Sequence, residues 1–289
     1  MEEGSFDISR GMDYEDSVYE DFYLGKNIMS SRMAQNDKYL FFGEVNYKPG
    51  ENTALDIRIM NKGSKEVKNI NLPIENNDYG FTQAVGILGS KGIVSVSIQD
   101  KKNFKVSTRI YSFNLETGEK INELSVDKNL HGNNISSKTE DGYIILMSEA
   151  NNGNGKNLNQ SNELFLYDIK QDKYKIIDLK DINTYKLAAV GTLDDLYLID
   201  TDILKVYKVD VEKNSTEEKG TIALENGAQI SEAVVSKERM YIAGERGVCN
   251  SWINVYNIEG MKKLYEGEIK EKNGIAMSGV LELNLLNQN

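Results

Sequence analysis

The sequence predicts an all-β protein in which one four-strand antiparallel meander is copied along the chain, and three observations predict it. A hairpin-type turn leading into an apolar strand recurs at Asp37, Lys91, Asp141, Asp194, Glu238 and Ser278, at intervals of 54, 50, 53, 44 and 40 residues. An apolar residue followed by Asn or Asp closes an alternating strand at Phe6-Asp7, Met60-Asn61, Phe113-Asn114, Tyr167-Asp168, Val209-Asp210 and Tyr256-Asn257, at intervals of 54, 53, 54, 42 and 47. The two registers interleave throughout, which a chance excess of apolar–Asn pairs in an Asn-rich chain does not produce.

One copy shows each strand in turn. Asp141-Gly142 is a hairpin turn, and the run 143–147 (YIILM) is apolar enough for a strand buried on both faces. A polar loop at 150–162 follows, then 163–169 (ELFLYDI) alternates as a strand, 170–173 turns the chain, and 174–179 (YKIIDL) forms another strand. Residues 135–138 (ISSK), ahead of the turn, supply the first strand of the four. Asn and Asp suit the close of the third strand because their side chains bond nearby backbone amides and start turns. Small residues precede the turns at Ser30, Ser31, Ala84, Gly86, Ser136, Ser137, Ala188, Ala189, Ala233 and Ala276, as a strand near a crowded axis requires. The fourth strands, at 66–70, 120–124 and 262–265, are more polar, as rim strands are.

Four-strand sheets repeating every ~40–50 residues are the signature of a propeller. The chain opens on a third-strand anchor, Phe6-Asp7, and ends on first- and second-strand material at 275–285, so the two ends together complete one sheet. Outer strands of that sheet are expected near 4–8 and 17–24. This pairing of the ends removes an open edge. The expected fold is therefore a single-domain, six-bladed β-propeller of four-stranded antiparallel blades. Its blades span about 26–75, 80–126, 130–180, 183–224 and 226–271, and a closing blade joins 272–289 to 1–25. A five- or seven-bladed ring and two stacked β-sandwiches are the competing arrangements. Residues 13–21, rich in Asp and Glu, read as an exposed excursion, and the Gly/Asn-rich loop 150–162 as a hairpin tip.

Composition narrows the function classes. The 289 residues carry a net charge of −11, which disfavours nucleic acid or an anionic membrane surface as partner. No apolar run approaches the roughly 18 residues of a membrane span, so no direct insertion is expected. Cys249 is the only cysteine, and no intramolecular disulfide forms. His131 is the only histidine, which rules out a multi-histidine metal site. A solvated loop histidine and an incidental thiol are the plain readings of these two residues.

The whole-chain pattern resembles the six-bladed β-propeller superfamily in bacteria, in particular sensor or surface propellers without a sharp blade motif. The Gly-His/Trp-Asp pair, the kelch double glycine, the sialidase box and a recurring Tyr-Trp-Thr-Asp segment are all absent, and Trp252 is the only tryptophan. The resemblance implies a ligand-binding face where the second-to-third and fourth-to-first loops converge. Tyr79, Phe81, Tyr185, Arg246 and Trp252 are the side chains of those loops best suited to anchor a protein, peptide or glycan. No catalytic residue, metal site or cofactor is expected. A glycosidase needs a pair of acids, and the first strands offer mainly Ser, Ala, Gly, Met and Thr with Glu232 as the clearest acid. The alternative is a calcium-dependent, lactonase-like hydrolase with an axial metal. Its oxygen ligands would come from Asn27, Asn133, Asn134, Asn183, Asn226 and Asn273 with Asp181 and Glu232, although these Asn residues do not align in the repeat. The chain is expected to act as a monomer outside the cytoplasm, its export signal or anchor lying upstream of the residues given; a cytoplasmic location is the alternative.

Overall fold

The computed structural model describes residues 6–9, 32–46, 53–74, 79–102, 105–131, 143–148, 162–179, 182, 187–246, 251–269 and 282–285. Among them the chain is all-β and antiparallel. Strand β1 (Phe6–Ser9) belongs to a two-stranded sheet described below. Sheet I holds β2 (Arg32–Gln35), β3 (Tyr39–Asn46), β4 (Ala54–Asn61) and β5 (Val67–Pro73). Sheet II holds β6 (Tyr79–Leu88), β7 (Lys91–Gln99), β8 (Val106–Asn114) and β9 (Lys120–Val126). Sheet III holds β10 (Leu130–His131), β11 (Tyr143–Ser148), β12 (Glu163–Asp168) and β13 (Lys173–Asp178). Sheet IV holds β14 (Leu187–Gly191), β15 (Leu196–Asp200), β16 (Lys205–Asp210) and β17 (Ser215–Thr221). Sheet V holds β18 (Ala228–Ser236), β19 (Arg239–Arg246), β20 (Ser251–Asn257) and β21 (Lys262–Ile269). In each sheet the strands lie in chain order.

The two ends of the chain meet. β1 pairs antiparallel with β22 (Glu282–Leu285), with Phe6 opposite Leu285, Asp7 opposite Asn284 and Ile8 opposite Leu283. The remaining strands expected in that sheet, near 17–24 and 275–281, lie outside the described residues, as do the acidic stretch 13–21 and most of the loop 150–162. No helix among the described residues is long and apolar enough to cross a membrane.

Burial follows the composition of each strand. In β7 every residue from Gly92 to Ile98 is buried, and in β20 every residue from Ser251 to Tyr256. Fourth strands are open: β13 exposes Lys173, Tyr174, Lys175 and Ile176 and buries only Ile177. An interior strand between two packed faces has no solvated side, so it reads as a continuous apolar run.

The chain divides into two compact units. In one, β2 and β3 of sheet I lie against β6 of sheet II, and β6 also touches β10 and β11 of sheet III. Sheets I and II bury Phe41, Ile57, Ile59, Val94, Val96 and Phe113 together, with the Phe41 and Phe113 rings 6.0 Å apart. Sheets II and III bury Ile93, Ile110, Leu146, Phe165 and Tyr167. In the other unit β18 lies against both β14 and β22, and sheets IV and V bury Val190, Ile199, Met240, Ile242, Trp252 and Tyr256.

The Asn/Asp anchors act through their side chains. Asn61 Oδ1 accepts the Gly63 and Ser64 amides, Asn114 Oδ1 those of Glu116 and Thr117, and Asp168 Oδ1 those of Lys170 and Gln171. Asp210 Oδ1 accepts the Lys213 amide. Four residues after these four anchors and after Asn257 the backbone turns left-handed, at Lys65 (φ 60°), Gly118 (82°), Asp172 (54°), Asn214 (50°) and Met261 (49°). At Asn257 a single 3-10 turn, Glu259–Met261, takes the place of the side-chain bond. One side-chain-bonded turn is thus used four times, with a different residue in its left-handed position each time, and the turn after Asn257 differs in having both Gly260 and Met261 left-handed. Asn114→Ala removes two of these bonds and is expected to cost about 1 kcal/mol in urea unfolding.

In sheet III the described part of the first strand is Leu130–His131, paired with Ser148 and Met147; residues 135–138, expected in that strand, lie outside the described residues. Two buried hydroxyls account for this placement. Ser97 Oγ donates to the Leu130 carbonyl (2.9 Å), and Thr108 Oγ1 donates to the Lys128 carbonyl (2.9 Å) while accepting the Leu130 amide (3.0 Å). His131 therefore stands in a strand where a loop was expected.

Candidate functional site

Each sheet has two ends, with different chemistry. At one end lie the first-to-second and third-to-fourth turns, where basic groups of one sheet clasp the next. Lys38 Nζ of sheet I reaches Glu116 Oε1 of sheet II (3.0 Å), and Lys68 Nζ donates to the Glu116 carbonyl (2.6 Å). Lys91 Nζ of sheet II reaches Asp172 Oδ2 of sheet III (2.5 Å), whose other oxygen accepts the Tyr167 hydroxyl (2.7 Å). Lys219 Nζ of sheet IV bridges Glu217 (2.8 Å) and Glu259 of sheet V (2.7 Å). In all three cases the acid sits in the third-to-fourth turn that follows an Asn/Asp anchor.

These pairs shift the groups in the directions the geometry demands. The hydrogen bond from Lys38 holds the Glu116 carboxyl below its ordinary value, and the Tyr39 hydroxyl together with Glu116 raises Lys38. Glu217 and then Glu259 raise Lys219. Burial, reinforced by Asp172, pushes the Tyr167 hydroxyl up, so it stays a donor. A cleft of about 320 Å³ lies beside the first clasp, lined by Lys38, Tyr39, Asn61, Glu66, Lys68 and Glu116. Its charged groups pair with one another, which suits a structural joint. A carboxyl lowered in the folded state contributes stability above its ordinary value of 4.5, and that contribution is lost as pH falls through the lowered value. The difference in melting temperature between wild type and Glu116→Gln is therefore expected to be open at about pH 6 and to close as pH falls below 4.5.

The opposite end carries the loops expected to bind. Phe81, third residue of β6, is 56% exposed and lies cross-strand from Ser97, whose hydroxyl pins the following crossover. Tyr79 begins the same strand, with its side chain outside the described residues; Tyr185 lies outside them altogether. Arg246 ends β19, where it pairs with Glu225 of the segment entering sheet V and lies 4.0 Å from Glu268 of β21. It acts as a joint between connection and rim strand.

Trp252 corrects the sequence reading. It is not a loop residue: β20 begins at Ser251, and the Trp252 ring is 9% exposed within the core shared by sheets IV and V. The ring lies against Gly244, directly opposite on β19, where a Cβ would stand 2.7 Å from Cζ2. Its side chain packs in that core.

Of the oxygen ligands weighed for a metal, Asn226 is exposed in a turn and Glu232 sits at a bulge of β18, its Oε1 accepting the Ala233 amide (3.1 Å). The other candidates lie outside the described residues. Among the described residues no three His, Cys, Asp or Glu side chains group so as to hold a metal ion. The hydroxyl pins were missed by sequence reasoning, though Ser95 and Ser97 at alternate positions of an apolar strand were a signal for them.

No family model matches the chain, and no curated protein matches it. Among solved structures it is similar to a luciferin-regenerating enzyme at 13% identity and a TM-score of 0.49, over 85% of this chain and 78% of that one. It is also similar to a prolyl endopeptidase at 12% identity and a TM-score of 0.48, over 86% of this chain and 35% of that one. A third similarity is to an uncharacterized protein from Listeria monocytogenes EGD-e at 10% identity and a TM-score of 0.45, over 81% of this chain. The chain spans 63% of the length of that Listeria protein.

Proposed function

We propose that this chain is a six-bladed β-propeller that works as a non-catalytic recognition domain, binding a protein, peptide or glycan through the loop end of its blades. Five four-stranded sheets, four of them sharing one Asn/Asp turn chemistry, together with the pairing of the two chain ends, support the ring. The observation that carries recognition is Phe81, a large apolar side chain 56% exposed on a strand whose neighbouring crossover is pinned by buried hydroxyls. An exposed aromatic on a rigid element is a low-entropy anchor for a partner. Tyr79 and Tyr185 are the further anchors of this reading, and Arg246 and Trp252 hold the scaffold behind it. Action as a monomer outside the cytoplasm belongs to the same reading.

Glycan arrays and a displayed-peptide library, screened with wild type and then with Phe81→Ala, test it. The expected result is a selected ligand that loses at least about tenfold in affinity on Phe81→Ala while the melting temperature stays unchanged. A ligand held equally by both proteins would contradict the assignment of Phe81.

A further inference from the structure

The asparagines that shape the turns are chemically locked. Asn61 Oδ1 accepts the Gly63 and Ser64 amides, while the next amide along the chain, that of Lys62, donates to the Lys38 carbonyl (2.8 Å). Asn114 Oδ1 accepts the Glu116 and Thr117 amides, and the Leu115 amide donates to the Ser90 carbonyl (2.8 Å). Asn36 is held by both ends of its carboxamide, Nδ2 donating to the Gly89 carbonyl (2.9 Å) and Oδ1 accepting the Lys38 and Tyr39 amides.

Asn226 differs on every count. It lies in the connection that enters sheet V, in a turn closed by the Ala228 amide on the Glu225 carbonyl (3.1 Å), and residues 225–227 are all exposed. Among the described residues it is the only asparagine followed by glycine. Neither its carboxamide nor the Gly227 amide has a hydrogen-bond partner among the described residues. Gly227 takes φ 80°, as glycine readily does in the third position of such a turn, and a Cβ there would meet nothing within 4 Å. The glycine nitrogen is thus unbonded, unhindered and next to a free carboxamide.

We propose that Asn226 is a site of spontaneous deamidation in the folded chain, converting to aspartate and isoaspartate. Asparagine is a thermolabile residue, and here nothing in the fold withholds either reacting group. The Gly227 nitrogen gives its proton to a solvent base and bonds to Asn226 Cγ; the Cγ–Nδ2 bond breaks and ammonia leaves. Water then opens the cyclic imide. Attack at Cγ gives aspartate, and attack at the main-chain carbonyl carbon gives isoaspartate, whose backbone runs through the former side chain. Either product adds a carboxylate next in sequence to Glu225, whose own carboxylate pairs with Arg246 at the end of β19. Isoaspartate also lengthens the backbone just before β18 begins at Ala228. The charge and the course of this connection therefore change with the age of the molecule.

The test incubates the whole chain in mildly alkaline buffer, folded and urea-unfolded, and follows each asparagine by peptide mapping with mass spectrometry and isoaspartate detection. Mapping separates Asn226 from Asn152, Asn154 and Asn273, which also precede glycine but lie outside the described residues. In the folded chain Asn226 is expected to convert at a rate within about threefold of that in the unfolded chain, as an unprotected site does. Asn61 and Asn114 are expected to keep their amides over the same period. Gly227→Ala, which sets a Cβ beside the attacking nitrogen, is expected to slow conversion at least about tenfold. Folding that protects Asn226 more than about tenfold, or conversion of Asn61 and Asn114 as fast as Asn226, would overturn the proposal. An unchanged rate in Gly227→Ala would overturn it as well.

Discussion

Gly244→Ala is expected to destabilise the protein by about 3 kcal/mol or more in urea unfolding, at the upper end of what overpacking costs. A Cβ at Gly244 would stand 1.9 Å from the Gln229 carbonyl oxygen and 2.7 Å from the Trp252 ring. The ring has some freedom to yield, but the carbonyl belongs to β18, paired with β19 at this point and bulged just beyond, between Ile230 and Glu232. Relief therefore requires parting the two strands. Gly63→Ala is the control. Its Cβ would meet only Asn61 Oδ1, at 3.3 Å, in an exposed turn, and a change within about 0.5 kcal/mol is expected.

Trp252→Ala is the second large effect, with a loss of about 3–5 kcal/mol expected from the cavity it leaves between sheets IV and V. The indole Nε1 is buried and has no hydrogen-bond partner among the described residues. Trp252→Phe therefore sacrifices volume but no hydrogen bond, and is expected to cost less than half as much as the alanine variant. Were Trp252 a surface anchor for a partner, both substitutions would leave the unfolding midpoint in place.

The misreading of Trp252 shows where sequence reasoning stops. From sequence the loop runs over 244–252, and nothing in the chain says that the strand resumes as early as Ser251. Because the strand is buried on both faces from Ser251 to Tyr256, a tryptophan inside it is core whichever face it takes, and the reading turned on where the loop gives way to the strand. Interior strands were legible because burial on both faces demands runs such as 93–98 (IVSVSI). The turns were legible because Asn61, Asn114, Asp168 and Asp210 place a carbonyl or carboxylate oxygen where backbone amides need one. The clasps were not. Lys38 and Glu116 are 78 residues apart, and their meeting depends on how two sheets pack, which local pattern does not encode. The pairing of Leu130 and His131 with β11 was hidden for a related reason, since hydroxyls of sheet II hold Leu130 in place.

Covalent trapping of the chain ends tests the central claim most directly. Asp7 and Asn284 are opposed on β1 and β22, and opposed residues of antiparallel strands lie within disulfide reach, about 4.5–5.5 Å between Cα atoms. In a Cys249→Ser background, Asp7→Cys with Asn284→Cys is predicted to form an intramolecular disulfide on mild oxidation and to raise the melting temperature. Failure to cross-link, or cross-linking only between molecules, would contradict a ring closed by its own two ends.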